Sequence, residues 1–148
     1  QSDRAANAKA IAEVCASFTA LRVPAFKCNA QACANTCTTA CATNAGCVHA
    51  NYKFYAYINP EQLKEDWTRD SVIEAINAQG VPCNQGSCSE VYLEKAFDDT
   101  GWRPGVRLPV ARALGETSIM FLVHPTLTES EIDKTCAVIR KVMVQASV

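Results

Sequence analysis

The clearest pattern of apolar and polar positions lies near the end of the chain. Residues 119–123, Ile-Met-Phe-Leu-Val, are consecutive apolar side chains with no polar alternation. Such a run is typical of a strand that is covered on both faces. Pro125 follows it and stops the strand. The pattern therefore predicts a central strand at residues 119–123.

A helix is predicted directly after this strand. Thr128 and Glu131 have the spacing of a capping box, and Leu127 and Ile132 stand at the positions of a hydrophobic staple. We therefore expect the helix to begin at Glu129 and to lie on the sheet through one apolar stripe. That stripe consists of Ile132, Cys136, Ile139 and Met143.

Weaker patterns predict the first half of the chain. Residues 5–21 have the spacing of an amphipathic helix, and residues 23–26 are a short extended piece in which Pro24 favours a sheet edge. Residues 51–59 alternate as a strand does. One side of that strand would carry Tyr52, Phe54, Ala56 and Ile58, and the other Lys53, Tyr55 and Tyr57.

The elements between residues 60 and 118 are predicted from residues that typically begin or end helices. Asp70 can cap a helix that holds Val72, Ile73 and Ile76, and Gly80 can end it. Pro109 suits the first turn of a later helix that ends at Leu114. The remaining predictions are a strand at 81–86, a short helix at 89–97 and a polar loop at 98–105.

This order of elements predicts an α+β fold, a two-layer sandwich of helices on a small, mostly antiparallel sheet. The 148 residues suit a single domain. The helices would cover one sheet face and leave the other without a cover in this chain. That second face would carry Tyr55, Tyr57, Met120 and Leu122. We therefore expect a partner surface there.

Charge and composition exclude several classes of function. The net charge is -1 and no basic cluster is present, so nucleic acid and anionic membranes are poor partners. No stretch approaches the length of a membrane span. The start of the sequence lacks the features of a signal peptide. We expect a cytoplasmic protein, or one whose targeting segment was removed.

Cysteine is concentrated in a segment of unusual composition, residues 28–50, which we interpret as an insertion. Five of the nine cysteines lie there, at positions 28, 33, 37, 41 and 47. The spacing is not the C-x2-C pattern that favours zinc. Disulfides within the loop, small packed thiols, and a metal or iron-sulfur site with His49 are the alternatives. Cys83 and Cys88 flank a second loop, where they could pair or simply pack.

Several short stretches follow one another along nearly the whole chain apart from the cysteine-rich insertion. They are Arg-Ala-Ala-Asn-Ala at 4–8, Tyr-Lys-Phe-Tyr at 52–55, Arg-Asp at 69–70, Ile-Asn-Ala-Gln-Gly-Val-Pro at 76–82, Val-Tyr-Leu-Glu-Lys-Ala-Phe at 91–97, Leu-Pro-Val-Ala at 108–111 and His-Pro-Thr-Leu-Thr at 124–128. In their order and spacing these stretches resemble the C-terminal small domain of the DegT/DnrJ/StrS-type sugar aminotransferases, pyridoxal phosphate (PLP) enzymes of fold type I.

The resemblance implies a part of an enzyme that is not catalytic alone. In that family the Schiff-base lysine and most cofactor contacts lie in the large domain, so no cofactor is expected on this chain by itself. It also implies packing on a large domain, or on a second copy, in a dimer. The lysines considered as substitutes, none in a family-like setting, are Lys53, Lys64, Lys95, Lys134 and Lys141.

The family's small domain contributes to the sugar pocket through the loop that follows the strand after Gly80. Many relatives carry a His-Tyr pair there and a second His beyond it, where this sequence has Gly86, Ser87 and Tyr92. The resemblance therefore implies a nucleotide-sugar ligand at the same loop, but with side chains that differ from those of the relatives. The candidate substrate-binding residues are Gly86, Ser87, Ser89, Glu90, Tyr92 and His124.

Alternatives to this site remain open from the residues. Ser89 could simply cap a helix with Tyr92 half-buried behind it, and His124 could be a structural residue at a strand end. For the chain as a whole, the alternatives are a stand-alone binding or interaction module and a metal or redox site in the cysteine-rich segment.

Overall fold

The computed structural model describes residues 2–24 and 49–148. Within these two ranges the fold has four α-helices and four strands. The helices are α1 (Ser2–Ala16), α2 (Arg69–Asn77), α3 (Pro109–Thr117) and α4 (Glu129–Ala146). The strands are β1 (Leu21–Arg22), β2 (Lys53–Ile58), β3 (Cys83–Asn84) and β4 (Ser118–Leu122). These elements confirm the predicted α+β class.

The sheet has the order β1-β2-β4-β3, and each neighbouring pair is antiparallel. The predicted central strand is therefore confirmed, because β4 pairs with strands on both sides. Phe54 of β2 stands opposite Phe121, and Ala56 stands opposite Ile119. These side chains are buried against the layer formed by α1, α2 and α4. The hydrophobic core lies between that layer and the sheet.

The helix predicted after the central strand is also confirmed. Thr128 accepts a hydrogen bond from the backbone amide of Glu131, and the Glu131 carboxylate accepts one from the amide of Thr128. The bond from the Thr128 amide first, and then that from the Thr128 hydroxyl to the same carboxylate, hold the pKa of Glu131 below its usual range. All four residues of the predicted stripe are buried. Val138, Val142 and Ala146 of α4 are buried with them.

We predict that Thr128→Ala lowers the free energy of unfolding by about 1 kcal/mol, the usual cost of losing an N-cap side chain. Ser130→Ala, in the first turn of the same helix, is the matched control because the Ser130 side chain is exposed. It should change stability by less than about 0.5 kcal/mol. Urea unfolding of both variants measures the difference, and equal effects would show that the cap contributes nothing specific.

The predicted start of the chain is wrong in its boundaries. Helix α1 ends at Ala16 rather than continuing through Leu21, and Leu21 pairs with Ile58 as the edge strand β1. The Ser17 hydroxyl donates to the carbonyl of Val14 at 2.6 Å, which favours a turn at this point. Pairing with β2 places the edge strand at residues 21–22, ahead of the predicted extended piece at 23–26, of which residues 25 and 26 lie outside the described residues. A helical spacing of apolar residues does not indicate that a turn and strand pairing will replace the end of the helix.

The predicted cap of α2 and the predicted end of α3 also differ from the structure. Thr68, not Asp70, caps α2, since its hydroxyl accepts from the Ser71 amide. Asp70 instead accepts hydrogen bonds from Arg69 and Gln85. Helix α3 runs past the predicted end at Leu114 to Thr117. An Arg112–Glu116 ion pair at 2.7 Å, one helical turn apart, supports this extra turn.

The short helix predicted at residues 89–97 is replaced by two separate 3-10 turns, Val91–Leu93 and Lys95–Phe97. Arg103 donates hydrogen bonds to the carbonyls of Tyr92, Leu93 and Glu94. Those carbonyls would accept backbone bonds in a continuous helix. The side chain of Arg103 therefore competes with helix formation here. The strand predicted at 81–86 is shorter as well, at residues 83–84.

The second sheet face is more covered than the sequence suggests. Met120 is buried, and Tyr55, Tyr57 and Leu122 are half-buried. The guanidinium of Arg22 lies 4.5 Å from the centre of the Tyr57 ring. The segment that follows β3 packs on this face near Tyr55. The described residues therefore cover this face in part, where the sequence predicts almost no cover. Tyr52, placed on the core side by the alternation, precedes β2 and is exposed.

The cysteine-rich insertion at residues 28–50 lies almost entirely outside the described residues, so its disulfide, packing and metal alternatives stay predictions. The four cysteines in the described part have free thiols. Of the flanking pair, Cys83 packs in the core and Cys88 is exposed. Burial raises the pKa of Cys15 and of Cys83 to about 12. These two thiols act as small apolar core residues.

No helix within residues 2–24 and 49–148 combines the length and apolar character needed to cross a bilayer.

Candidate functional site

An open cleft of about 420 Å³ lies beside the loop formed by residues 85–90. The loop forms one wall, and Leu93 and Glu94 from the first 3-10 turn and its end form another. The second half of α3 and the first residue of β4 complete the lining. These elements contribute Arg112, Gly115, Glu116 and Ser118. The cleft therefore lies where the loop after β3 meets the start of the central strand.

The loop is fixed to the sheet by Tyr55 and Ser118. The Ser87 amide donates to the Tyr55 hydroxyl at 3.1 Å, and the Tyr55 and Ser87 hydroxyls are also 3.1 Å apart. The Ser118 hydroxyl donates to the carbonyl of Gln85 at 2.6 Å. Because Tyr55 and Ser118 belong to paired strands, the loop takes its position from the rigid part of the fold.

Gly86 makes this arrangement possible. Its φ is +99°, a conformation that other residues rarely adopt. A Cβ at this position would lie 2.3 Å from the Cε1 atom of Tyr55. The Tyr55 ring thus occupies the space that any larger residue would need. Glycine is required here both for the backbone angle and for the approach of the ring.

Glu90 is held in a network of strong polar contacts. The Arg107 guanidinium donates to both carboxylate oxygens, and the Tyr92 hydroxyl donates to Oε1 at 2.6 Å. The Tyr92 hydroxyl in turn accepts from the Leu108 amide. The bonds from Arg107 first, and then that from Tyr92, lower the pKa of Glu90 from 4.5 to about 2. Burial is the main cause of the raised pKa of Tyr92.

We predict that Glu90 titrates near pH 2 in carbon-detected NMR and that Arg107→Gln moves its pKa back toward 4.5. Because folding lowers this pKa, the stabilising contribution of Glu90 is present above about pH 4.5 and is lost as the pH falls toward 2. Lys95→Gln is the control, since Lys95 has no described contact with Glu90. An unchanged Glu90 pKa in Arg107→Gln would contradict the assigned cause.

Arg69 connects the cleft to α2. Its side chain is 14% exposed, and its guanidinium donates to the carbonyls of Gly115 and Ser118 at 3.0 and 3.1 Å. These two carbonyls lie at the end of α3 and the start of β4, where the cleft lining passes from helix to strand. Charged hydrogen bonds of this kind are stronger than neutral ones. Arg69 therefore fixes the floor of the cleft.

The structure brings four of the six candidate residues together. Gly86, Ser87, Ser89 and Glu90 line the cleft. Tyr92 lies behind them, with its hydroxyl engaged by Glu90 and the Leu108 amide. Ser89 does not cap the turn that follows, because the N-cap residue is Glu90 and has no side-chain cap bond. The alternative of Ser89 as a helix cap is therefore wrong.

The sixth candidate, His124, lies at the other end of the central strand. It is six residues beyond Ser118, which corresponds to roughly 20 Å along an extended chain. Its Nδ1 is 2.6 Å from the Thr126 hydroxyl, and its carbonyl accepts from Asn7. These contacts tie the strand end to α1 and to the turn before α4. The geometry thus favours the structural interpretation of His124.

The sequence pattern does not predict the residues that α3 and the first 3-10 turn contribute to the cleft. Arg112 and Glu116 line the cleft and form an ion pair. Glu94 also lines it, and its Oε1 atom accepts from the Cys88 thiol at 3.6 Å. Nothing in the spacing of these residues separates them from an ordinary solvated helix face. Only the fold places them opposite the serines. The cleft therefore combines hydroxyls, carboxylates and one guanidinium, a set suited to a ligand with many hydroxyl groups.

A second, smaller cleft of about 230 Å³ lies on the second sheet face. Tyr55, Tyr57 and Lys53 of β2 line it, together with His49 and Asn51. His49 is bonded through Nδ1 to the Asn51 side chain at 2.8 Å. Within residues 2–24 and 49–148, no group of acidic, histidine or cysteine side chains is arranged to hold a metal ion.

Comparison with solved structures shows similarity to aminotransferases. The chain is 48% identical to an aminotransferase from Psychrobacter cryohalolentis, over 97% of this chain and 34% of that one, with a TM-score of 0.81. A DegT DnrJ EryC1 StrS aminotransferase from Brucella abortus has the same fold at 21% identity and a TM-score of 0.59, over 95% of this chain and 30% of that one. NtdA from Bacillus subtilis, solved with bound cofactor PMP, matches with 13% sequence identity and a TM-score of 0.63, over 97% of this chain and 28% of that one.

No family model and no curated protein matches the chain. The structural matches nevertheless confirm the resemblance to this family that the sequence indicates. The chain spans about a third of the length of the solved structures that it matches.

Proposed function

We propose that this chain serves as the small-domain part of a PLP-dependent nucleotide-sugar aminotransferase and that the cleft beside residues 85–90 binds the sugar. The observation that carries the proposal is the position of the cleft in a chain that is 48% identical to a third of an aminotransferase. The loop there is built on the central strand, not on a loose segment. In this view the chain is one domain with an insertion at residues 28–50.

The residues of the cleft would bind and orient the sugar rather than react with it. The hydroxyls of Ser87 and Ser89 can donate to or accept from sugar hydroxyls. Glu94 accepts from hydroxyl groups, and the Arg112–Glu116 pair offers both donors and acceptors. Glu90 is already occupied by Arg107 and Tyr92, so its role is to hold the wall in place.

The described residues do not supply a cofactor lysine to this cleft, because no lysine is among the residues that line it. Lys64 donates to the carbonyl of Gln145, and Lys134 donates to that of Gly80. PLP, when bound in an enzyme of this type, supplies the electron sink for transfer of the amino group. The covalent chemistry therefore belongs to a large domain in this proposal, and this chain binds and orients the sugar.

The amino group would pass from an amino acid donor, glutamate in our proposal, to a keto group on a nucleotide-linked sugar. The same proposal includes a large domain or a second copy of the chain as partner, in a dimeric cytoplasmic enzyme. The family resemblance supports these assignments, and the folded chain would supply substrate orientation alone.

The proposal is tested by NMR titration of the 148-residue chain with a UDP-linked hexose. We expect the largest amide shifts at residues 86–90 and at Arg112. The double variant Ser87→Ala/Ser89→Ala should reduce the shifts, whereas Ser130→Ala on α4 should leave them unchanged. Shifts centred on another surface, or their absence at millimolar ligand, would contradict the proposed sugar site.

A further inference from the structure

Exposed large apolar side chains in the described part of the chain are concentrated in one segment. Among the described residues, nine large apolar side chains are exposed, and six of them lie between Val91 and Val110. Trp102 and Val106 are 78% and 76% exposed. We call these six residues the ridge. The ridge consists of Val91, Leu93, Trp102, Val106, Leu108 and Val110.

Hydrogen bonds hold the backbone that carries the ridge. Arg103, next to Trp102, donates to the carbonyls of Tyr92, Leu93 and Glu94, so the two parts of the segment are held together. The Leu108 amide donates to the Tyr92 hydroxyl at 2.9 Å, which fixes the start of α3 against the first turn. Apolar side chains on a backbone pinned in this way need little ordering when a partner binds.

The ridge also borders the open cleft. Leu93 belongs to both, and Glu94 follows it in the cleft wall. Helix α3 begins in the ridge at Val110 and reaches the cleft at Arg112. A body that covered the ridge would therefore also close part of the cleft. Exposed apolar surface around an exposed tryptophan is typical of protein interaction sites.

We propose that the ridge is the surface on which the large domain of an aminotransferase packs, an inference that rests on the proposed function. The occupant follows from the comparison, because this chain matches only a third of the Psychrobacter cryohalolentis enzyme at 48% identity. The rest of that enzyme is the folded body to which such a third is joined. Docking at the ridge places that body beside the cleft, where the sugar must meet the cofactor.

The experiment compares the isolated 148-residue chain with a chimera in which it replaces the matching third of that enzyme. Hydroxyl-radical footprinting with mass spectrometry reports the exposure of each peptide. We expect labelling of Trp102 and of residues 104–107 to fall at least threefold in the chimera. Val144 and Val148, which are 67% and 84% exposed and lie off the ridge, should be labelled equally in both.

Paired substitutions supply the second measurement. Val106→Asp on the ridge should lower the unfolding midpoint of the chimera by about 3 °C or more, or split its transition. Val148→Asp, beyond the end of α4, should not. Both should leave the isolated chain unchanged, since both side chains are exposed there.

Three outcomes would overturn the ridge assignment. They are equal labelling of the ridge in the chimera and the isolated chain, equal effects of the two substitutions on the chimera, and protection that appears in the isolated chain as its concentration rises. The last would identify a second copy as the occupant. Footprinting does not depend on sugar binding, so failure of the sugar site would leave these results intact and the two failures can be told apart.

Discussion

Replacing Gly86 with alanine is expected to destabilise the protein by about 2–6 kcal/mol and to abolish ligand binding in the cleft. About 1–3 kcal/mol comes from forcing a side chain into a positive φ, and a similar amount comes from overpacking against the Tyr55 ring. The ring cannot move away easily, because its hydroxyl is bonded to the Ser87 amide and hydroxyl. The loop would have to leave the sheet.

Two other glycines separate these causes. Gly101 has a φ of +72° but no atom within 4 Å of the point where a Cβ would lie, whereas Gly105 has neither the angle nor a neighbour. Gly101→Ala should therefore cost about 1–2 kcal/mol and Gly105→Ala less than about 0.5 kcal/mol. Urea unfolding ranks the three variants. If Gly86→Ala cost no more than Gly101→Ala, the contact with Tyr55 would not constrain the loop.

Truncating Phe121 to alanine is expected to cost about 3–5 kcal/mol. Phe121 is fully buried on the central strand, with Phe54 opposite it on one side and Cys83 on the other. The surrounding strands and helices cannot collapse into the space because they are fixed by pairing on both sides of β4. A domain of this size is stabilised by only about 5–15 kcal/mol, so the loss is a large fraction of the total.

Leu122→Ala is the matched control for Phe121→Ala. Leu122 is the next residue on β4, points to the opposite face and is half-buried. Its truncation should cost about 1 kcal/mol. Chemical unfolding with a constant m-value would make the comparison valid. Similar losses for the two variants would show that the core does not lie on the helix-covered face.

The central strand and α4 could be predicted because their signals are local and agree with each other. An unbroken apolar run, a proline and a capping box succeed one another over a short stretch, and no distant contact competes with them. The predictions failed where a side chain from elsewhere takes over backbone groups. Arg103 breaks the expected helix into turns, and pairing with Ile58 ends α1 early.

The candidate site was predictable only in part for the same reason. Gly86, Ser87, Ser89 and Glu90 are consecutive or nearly so, and the family resemblance marked their loop. Arg112 and Glu116 reach the cleft from a helix much later in the chain, and no sequence spacing encodes that meeting. His124 is a candidate because it ends a buried strand, but the length of that strand separates it from the loop.

Steady-state kinetics of the chimera with a nucleotide-linked keto-hexose would test most directly whether the cleft binds the sugar. We predict that Ser87→Ala/Ser89→Ala raises KM for that substrate by about tenfold, the effect of losing about 1.4 kcal/mol of hydrogen bonding. PLP absorbance and the reaction with the amino donor should not change. A chimera that binds PLP and reacts with the donor, but whose KM is the same with and without the two serines, would contradict the proposed role of the cleft.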